Sequence, residues 1–133
     1  MTEPSASEVE EAIKTCVREF YAKARQDTLL GPIFNSTVKD WDDHLRVIAD
    51  FWSKVLLQTN RYNSSPFPLH RPLPVEPEHF TRWLELFEET TSATLPPPHA
   101  AKAQAKARHM AESFKAGIFP FFDKEGRPSR HPG

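Results

Sequence analysis

RYNSSPFPLHRPLPVEPEHFTRWLELF, residues 61–87, changes character halfway along. The first part carries prolines at 66, 68, 72, 74 and 77 and shows no hydrophobic period, so it reads as a loop. The second part spaces Phe80, Trp83, Leu84 and Phe87 by threes and fours, which predicts a helix with one aromatic face. Glu76 and Pro77 suit its first turn, and it is expected to end near Ser92. His70 lies in the loop between Leu69 and Arg71, and the nearby Phe67, Leu69 and Leu73 argue that the loop packs. A histidine on a constrained loop opposite an aromatic helix has the makings of an axial ligand for a planar metal cofactor. It is also what a helical domain with a surface histidine would show, so its surroundings matter.

Toward the N-terminus, Ser5 with Glu8, or Ser7 with Glu10, offers a capping box, and a helix is expected to start near Ser7. Val9, Ala12, Ile13, Cys16, Val17, Phe20, Tyr21 and Ala24 then form one apolar stripe that takes Tyr21 inside. A buried phenol needs a hydrogen-bond partner, and a nearby carbonyl is the ordinary one. Leu29 to Phe34 forms an apolar corner in which Gly31 is expected to allow the turn and Pro32 to direct it. From Asp40 to Leu57 the helical spacing returns with Trp41, His44, Leu45, Ile48, Phe51, Trp52, Val55 and Leu56 on one face. A last helix is expected from after Pro98 to about Ile118. The tail from Asp123 has no apolar residues and is expected to fray as a flexible end over 123–133. Four helical segments predict an all-α fold in which paired helices enclose a slot.

The 133 residues suit a single domain, with its core over about 8–119. A formal net charge of −1 gives no general nucleic-acid surface. One cysteine, Cys16, excludes an intramolecular disulfide framework and a thiolate metal cage, and fits a reducing compartment. The acidic N-terminus has no apolar run of the signal-peptide kind and no window is long enough to span a bilayer, so the expected location is cytoplasmic, without a membrane partner.

No H-E-x-x-H, C-x-x-C or Asp-rich loop occurs, and no two of the six histidines stand four apart, which leaves zinc and calcium poorly supported. Haem needs only one strong protein ligand, a neutral imidazole, because the porphyrin supplies four nitrogens. His70 and His44 have apolar neighbours on the expected inner side; His79 and His109 flank apolar stripes, and His99 and His131 are poorly placed.

Phe20-Tyr21, LLGPIF at 29–34, HLRVIADFWSKVLL at 44–57, Tyr62, His70-Arg-Pro-Leu73 and FTRWLELF at 80–87 follow one another in an order and spacing that resemble the group III truncated haemoglobins. The resemblance spans about residues 8–119. It implies a small globin-like two-over-two helical sandwich enclosing haem b. It further implies that His70 is the proximal iron ligand, that Tyr21, His44 and Trp83 line the opposite, ligand-binding face, and that Phe34 and Ile48 contact the haem or its gas. Arg46, Arg61 and Arg71 are candidates for the haem propionates.

The expected ligands are oxygen, nitric oxide, carbon monoxide or similar small molecules, bound by a monomer or weak dimer. The Tyr21 hydroxyl and Trp83 indole N–H are suitable donors to a partly negative ligand atom, which favours retention over delivery. Nitric oxide detoxification or a peroxidase-like reaction would suit such a pocket and would require a reductase, which nothing in the sequence identifies. The competing reading is a cofactor-free helical interaction module whose aromatic slot takes a partner helix. A haem sensor would need an output domain, and a zinc hydrolase lacks its ligand spacing.

Overall fold

The computed structural model describes residues 4–63 and 73–130. Among these, the chain forms α1 (Ala6–Ala24), α2 (Gly31–Thr37), α3 (Trp41–Leu57), α4 (Pro77–Thr94) and α5 (Pro97–Ile118), followed by β1 (Phe121–Phe122) and β2 (Pro128–Ser129). Helix α1 packs on both α3 and α4, and α5 packs on α4 and α3, giving an all-α sandwich of two helices over two.

Local chemistry sets the helix ends. The Ser5 hydroxyl accepts the Glu8 backbone N–H at 3.1 Å and faces the Glu8 carboxylate at 3.2 Å, so the first of the two capping options is used. Asp40 caps α3 by accepting from the Asp43 N–H at 3.1 Å, and Gln58 ends that helix in the left-handed region at φ 61°. Helix α4 opens on Pro77, with the Glu76 N–H donating to His79 Nδ1 at 2.8 Å. Val9, Ile13, Cys16, Val17, Phe20, Tyr21 and Ala24 are the buried stripe of α1, as their spacing predicts. Ala103, Ala107 and Ala111 are the small buried residues that let α5 approach its neighbours closely.

Two segments differ from expectation. The apolar corner is a short helix, and Gly31 does not sit at positive φ. Glycine is needed there for close approach, because a Cβ would lie 2.7 Å from the Arg25 carbonyl oxygen. Asn35 Nδ2 donates to that same oxygen at 3.1 Å. The tail beyond Asp123 does not fray through Arg130, for β1 and β2 pair antiparallel and the Arg130 guanidinium donates to the Leu73 and Val75 carbonyls at 2.6 and 3.2 Å. Backbone pairing and one arginine do there what apolar side chains do elsewhere.

Arg61, entering the proline-rich segment, is held to α1 and α3. Its Nη2 reaches the Glu10 carboxylate at 2.8 and 2.9 Å and its Nε reaches Asp50 at 3.0 Å, beside the fully buried Ser53 hydroxyl, which donates to Glu10. Partial burial raises the Glu10 carboxyl, but the Ser53 and Arg61 bonds outweigh it and hold the group below its ordinary value. A carboxylate depressed in the folded state contributes stability that is complete above its unfolded pKa and lost as pH falls through the lower folded one.

Gly31→Ala should therefore destabilise the protein by about 1–3 kcal/mol in urea unfolding. The thermal midpoint should hold between about pH 7 and 5 and fall below about pH 4, with a shallower fall in Glu10→Gln.

Candidate functional site

The C-terminal half of α1 meets α2 and the first turn of α3 around Tyr21. Its ring is 5.0 Å from His44, 5.2 Å from Phe34, 5.5 Å from Trp41 and 5.1 Å from Phe20, all edge-on. Phe20 lies 5.4 Å from Trp83; Trp83 stacks on Phe87 at 4.7 Å and 12°, and Phe87 stacks on Trp52 at 4.8 Å. The rings make a continuous chain from α2 to α3 by way of α1 and α4. Each favourable aromatic pair adds about 0.5–1.5 kcal/mol beyond burial, so the chain also fixes ring planes, that of the Trp83 indole among them.

The Tyr21 side chain is almost wholly enclosed, with 6% of the residue exposed. The expected carbonyl partner is missing: its hydroxyl makes no hydrogen bond to a described residue. Burial pushes its pKa up, so the group stays protonated and can act only as a neutral donor or acceptor. The Trp83 indole N–H likewise has no hydrogen-bond partner among the described residues. Tyr21, Ile48 and Trp83 line one cavity of about 20 Å³ together with Ile13, Cys16, Val17 and Phe87. A cavity so apolar excludes water and tolerates a small neutral molecule.

The apolar side chains of the described residues divide into two clusters. One contains the α1 stripe with Trp52, Leu56, Leu86 and Phe87; the other contains Val75, Phe114, Ile118 and Phe119. The inward side chains of α3 and α4, Trp41, His44, Leu45, Ile48, Phe51 and Val55 with Phe80, Trp83 and Leu84, are only half-buried, and most of them pack against the first cluster. Half-buried aromatic faces of this kind are suited to covering by a flat apolar group.

Five sequence-predicted residues thus come together: Tyr21, Phe34, His44, Ile48 and Trp83. Arg46 does not join them. It is exposed and bonded to Asp43 at 2.6 Å and Asp50 at 3.5 Å, its neighbours three and four residues away on α3. His70 and Arg71 lie outside the described residues. His79 spends Nδ1 on the α4 cap, and no group of three His, Cys, Asp or Glu side chains able to hold a metal ion occurs among the described residues. Two contributors escaped the sequence reading as site residues. Trp41 walls Tyr21 and His44 under the Arg25 guanidinium, 4.3 Å away, and its place three residues before His44 was the available signal. Asp27 binds Arg82, a pairing across the chain that no local pattern announces.

No family model matches the chain. Over 117 residues it is 32% identical to a group 3 truncated haemoglobin, ctb, of Campylobacter jejuni, covering 84% of this chain and 92% of that one. The crystal structure of a group III truncated haemoglobin from Campylobacter jejuni superposes with a TM-score of 0.77 at 33% identity, over 83% of this chain and 91% of the other. No described helix is long and apolar enough to cross a membrane.

An enclosed hydroxyl without a partner contributes nothing to folding. Tyr21→Phe should leave urea stability of the ligand-free protein unchanged or raised by up to about 1 kcal/mol. A loss of about 2 kcal/mol or more would mean that the hydroxyl has a structural role.

Proposed function

The chain belongs to the group 3 truncated haemoglobins, and from that membership we propose that it holds haem b and takes oxygen or another diatomic gas. The single observation that carries the reading is the buried Tyr21 side chain, which lines an apolar cavity with Trp83 and whose hydroxyl has no hydrogen-bond partner among the described residues. Haem, when bound, supplies an iron with four porphyrin nitrogens and one position open to a small ligand.

In this reading His70 supplies the proximal imidazole. Tyr21, Trp83 and His44 face the ligand, and Phe34 and Ile48 wall it in. The half-buried faces of α3 and α4 receive the flat ring. Burial keeps the Tyr21 hydroxyl protonated, so it is a donor throughout the physiological pH range. The Tyr21 side chain is largely buried, so donating to a partly negative ligand atom costs little further desolvation, and each such bond is worth about 1.5–3 kcal/mol. Tyr21 and Trp83 acting together oppose release, which suits gas retention, nitric oxide oxidation or a peroxidase-like reaction better than oxygen delivery. Turnover of that kind draws electrons from a separate reductase. Of the three arginine candidates for a propionate, Arg71 is preferred, because Arg46 would have to leave Asp43 and Asp50, and Arg61 would have to leave Glu10 and Asp50.

The purified protein with added haem should show a Soret band that shifts when dithionite and then carbon monoxide are added. His70→Ala should lose stable haem, and Tyr21→Phe should release oxygen roughly 10- to 100-fold faster. No Soret band would leave the slot as a docking face for another helix, and an unchanged release rate would remove Tyr21 as the main donor.

A further inference from the structure

Asp27 stands where α1 hands over to α2, and its carboxylate is bonded in three directions. Its Oδ2 accepts the Leu29 and Leu30 backbone N–H groups at 3.1 and 3.0 Å, and its Oδ1 accepts Arg82 Nε at 2.7 Å. Its backbone carbonyl accepts the Gly31 N–H at 2.8 Å, the first bond of α2. The side chain is 9% exposed. Burial raises this carboxyl, but the bonds from Leu30, Arg82 and Leu29 outweigh it and keep it ionised.

Each bond leads to a wall of the site. The Leu29 and Leu30 bonds fix the start of α2, whose Phe34 ring lies 5.2 Å from Tyr21. Arg82 immediately precedes Trp83. One enclosed carboxylate therefore joins the three elements that carry Tyr21, Phe34 and Trp83. An ion pair between α1 and α4, Lys23 with Glu89 at 3.4 Å, is longer and its carboxylate is 64% exposed against 9% for Asp27, so water screens it more, although Arg82 and Lys23 are each 41% exposed. Among the described residues the ring contacts of Trp83 are a stack on Phe87 of its own helix, which cannot fix the helix against α1, and an edge-on contact with Phe20, which is non-directional along α1. The Asp27 to Arg82 bond opposes sliding along α1.

We propose that Asp27, acting through Arg82, is a positioning residue for ligand retention: it sets the reach between the Tyr21 hydroxyl and the Trp83 indole N–H. The inference rests on the proposed gas-binding function. A hydrogen bond weakens steeply with misalignment, so a small shift of α4 disarms Trp83 while leaving both donors present.

The test uses the haem-loaded protein and Asp27→Asn, which keeps a side-chain acceptor for the turn, with Arg82→Gln, Trp83→Phe and the double variant Asp27→Asn/Trp83→Phe. Oxygen release is followed by stopped flow, the carbon monoxide stretching frequency by infrared absorption, and urea stability beside them. Asp27→Asn and Arg82→Gln should each release oxygen roughly 5- to 30-fold faster and shift the stretching frequency in the direction that Trp83→Phe shifts it. The double variant should match Trp83→Phe alone. Lower stability with unchanged release and frequency would reduce Asp27 to a structural role, and multiplying effects in the double variant would show that it does not act through Trp83; either overturns the proposal. A wild-type protein that takes no haem overturns the gas-binding reading as well, whereas one that binds gas normally beside unaffected variants overturns this inference alone.

Discussion

Helix α1 buries a single stripe of side chains against two helices that do not close fully on each other. Ile13, Cys16, Val17 and Phe20 have to satisfy α3 and α4 at once, and those helices meet through the stacked rings of Trp52 and Phe87. Burying each large apolar side chain contributes about 1.5–3 kcal/mol, so the stripe is the main source of cohesion and cannot be rearranged cheaply. The remaining apolar faces of α3 and α4 stay half-buried. The stripe puts Tyr21, near its end, inside the protein at the point where α2 and α3 come over it.

What repeats along the chain was legible in the sequence. The stripes of α1, α3, α4 and α5 follow from three-and-four spacing, and Ser5, Asp40 and Pro77 mark starts that the structure uses. What is short or distant was not. Helix α2 has seven residues, too few to show a period, and its glycine answers a contact with Arg25 that lies outside the local pattern. The hairpin at the C-terminal end hangs on Arg130 reaching carbonyls more than fifty positions earlier. For Arg46 the signal was in the sequence, since carboxylates stand three positions before it and four after it, the spacing at which helix neighbours pair. The position of Tyr21 could be read from the stripe. Its lack of a partner could not, because that depends on which groups other elements bring near.

The pairing of Asp27 with Arg82 shows how the corner and the slot are linked. The turn after α1 would be satisfied by the carboxylate bonding Leu29 and Leu30 alone, as Asp commonly does in turns. Its second oxygen instead reaches α4, and a charge-assisted bond in a largely enclosed setting is stronger than the exposed pairs on the outer faces. The corner is thereby tied to α4 by a directed bond, although its Arg82 end is 41% exposed. Apolar packing supplies the greater part of the energy but is non-directional and tolerates small slips. The ion pair does not.

The chain treats its other enclosed hydroxyls differently from Tyr21. Thr90 and Thr91 donate to the Leu86 and Phe87 carbonyls of their own helix at 2.7 Å each, and Ser53 donates to Glu10. The two threonines can do this because the carbonyl one turn back lies within reach of Oγ. A phenol cannot: its oxygen stands at the far end of a rigid ring, beyond the backbone of its own helix, and must find a partner on another element or in the space between elements. Around Tyr21 the neighbouring elements present Phe34, Trp41 and Phe20, whose rings accept little, and the His44 ring edge-on. A hydrogen bond to a backbone carbonyl there would stabilise the fold by about 1 kcal/mol, but the donor would then have to be broken away before it could serve anything else. Leaving it without a partner among the described residues forgoes that stability and keeps the donor available. The apolar surroundings that deny it a partner also exclude the water that would compete for it, so one arrangement of side chains accounts for both the cost and the use of the group.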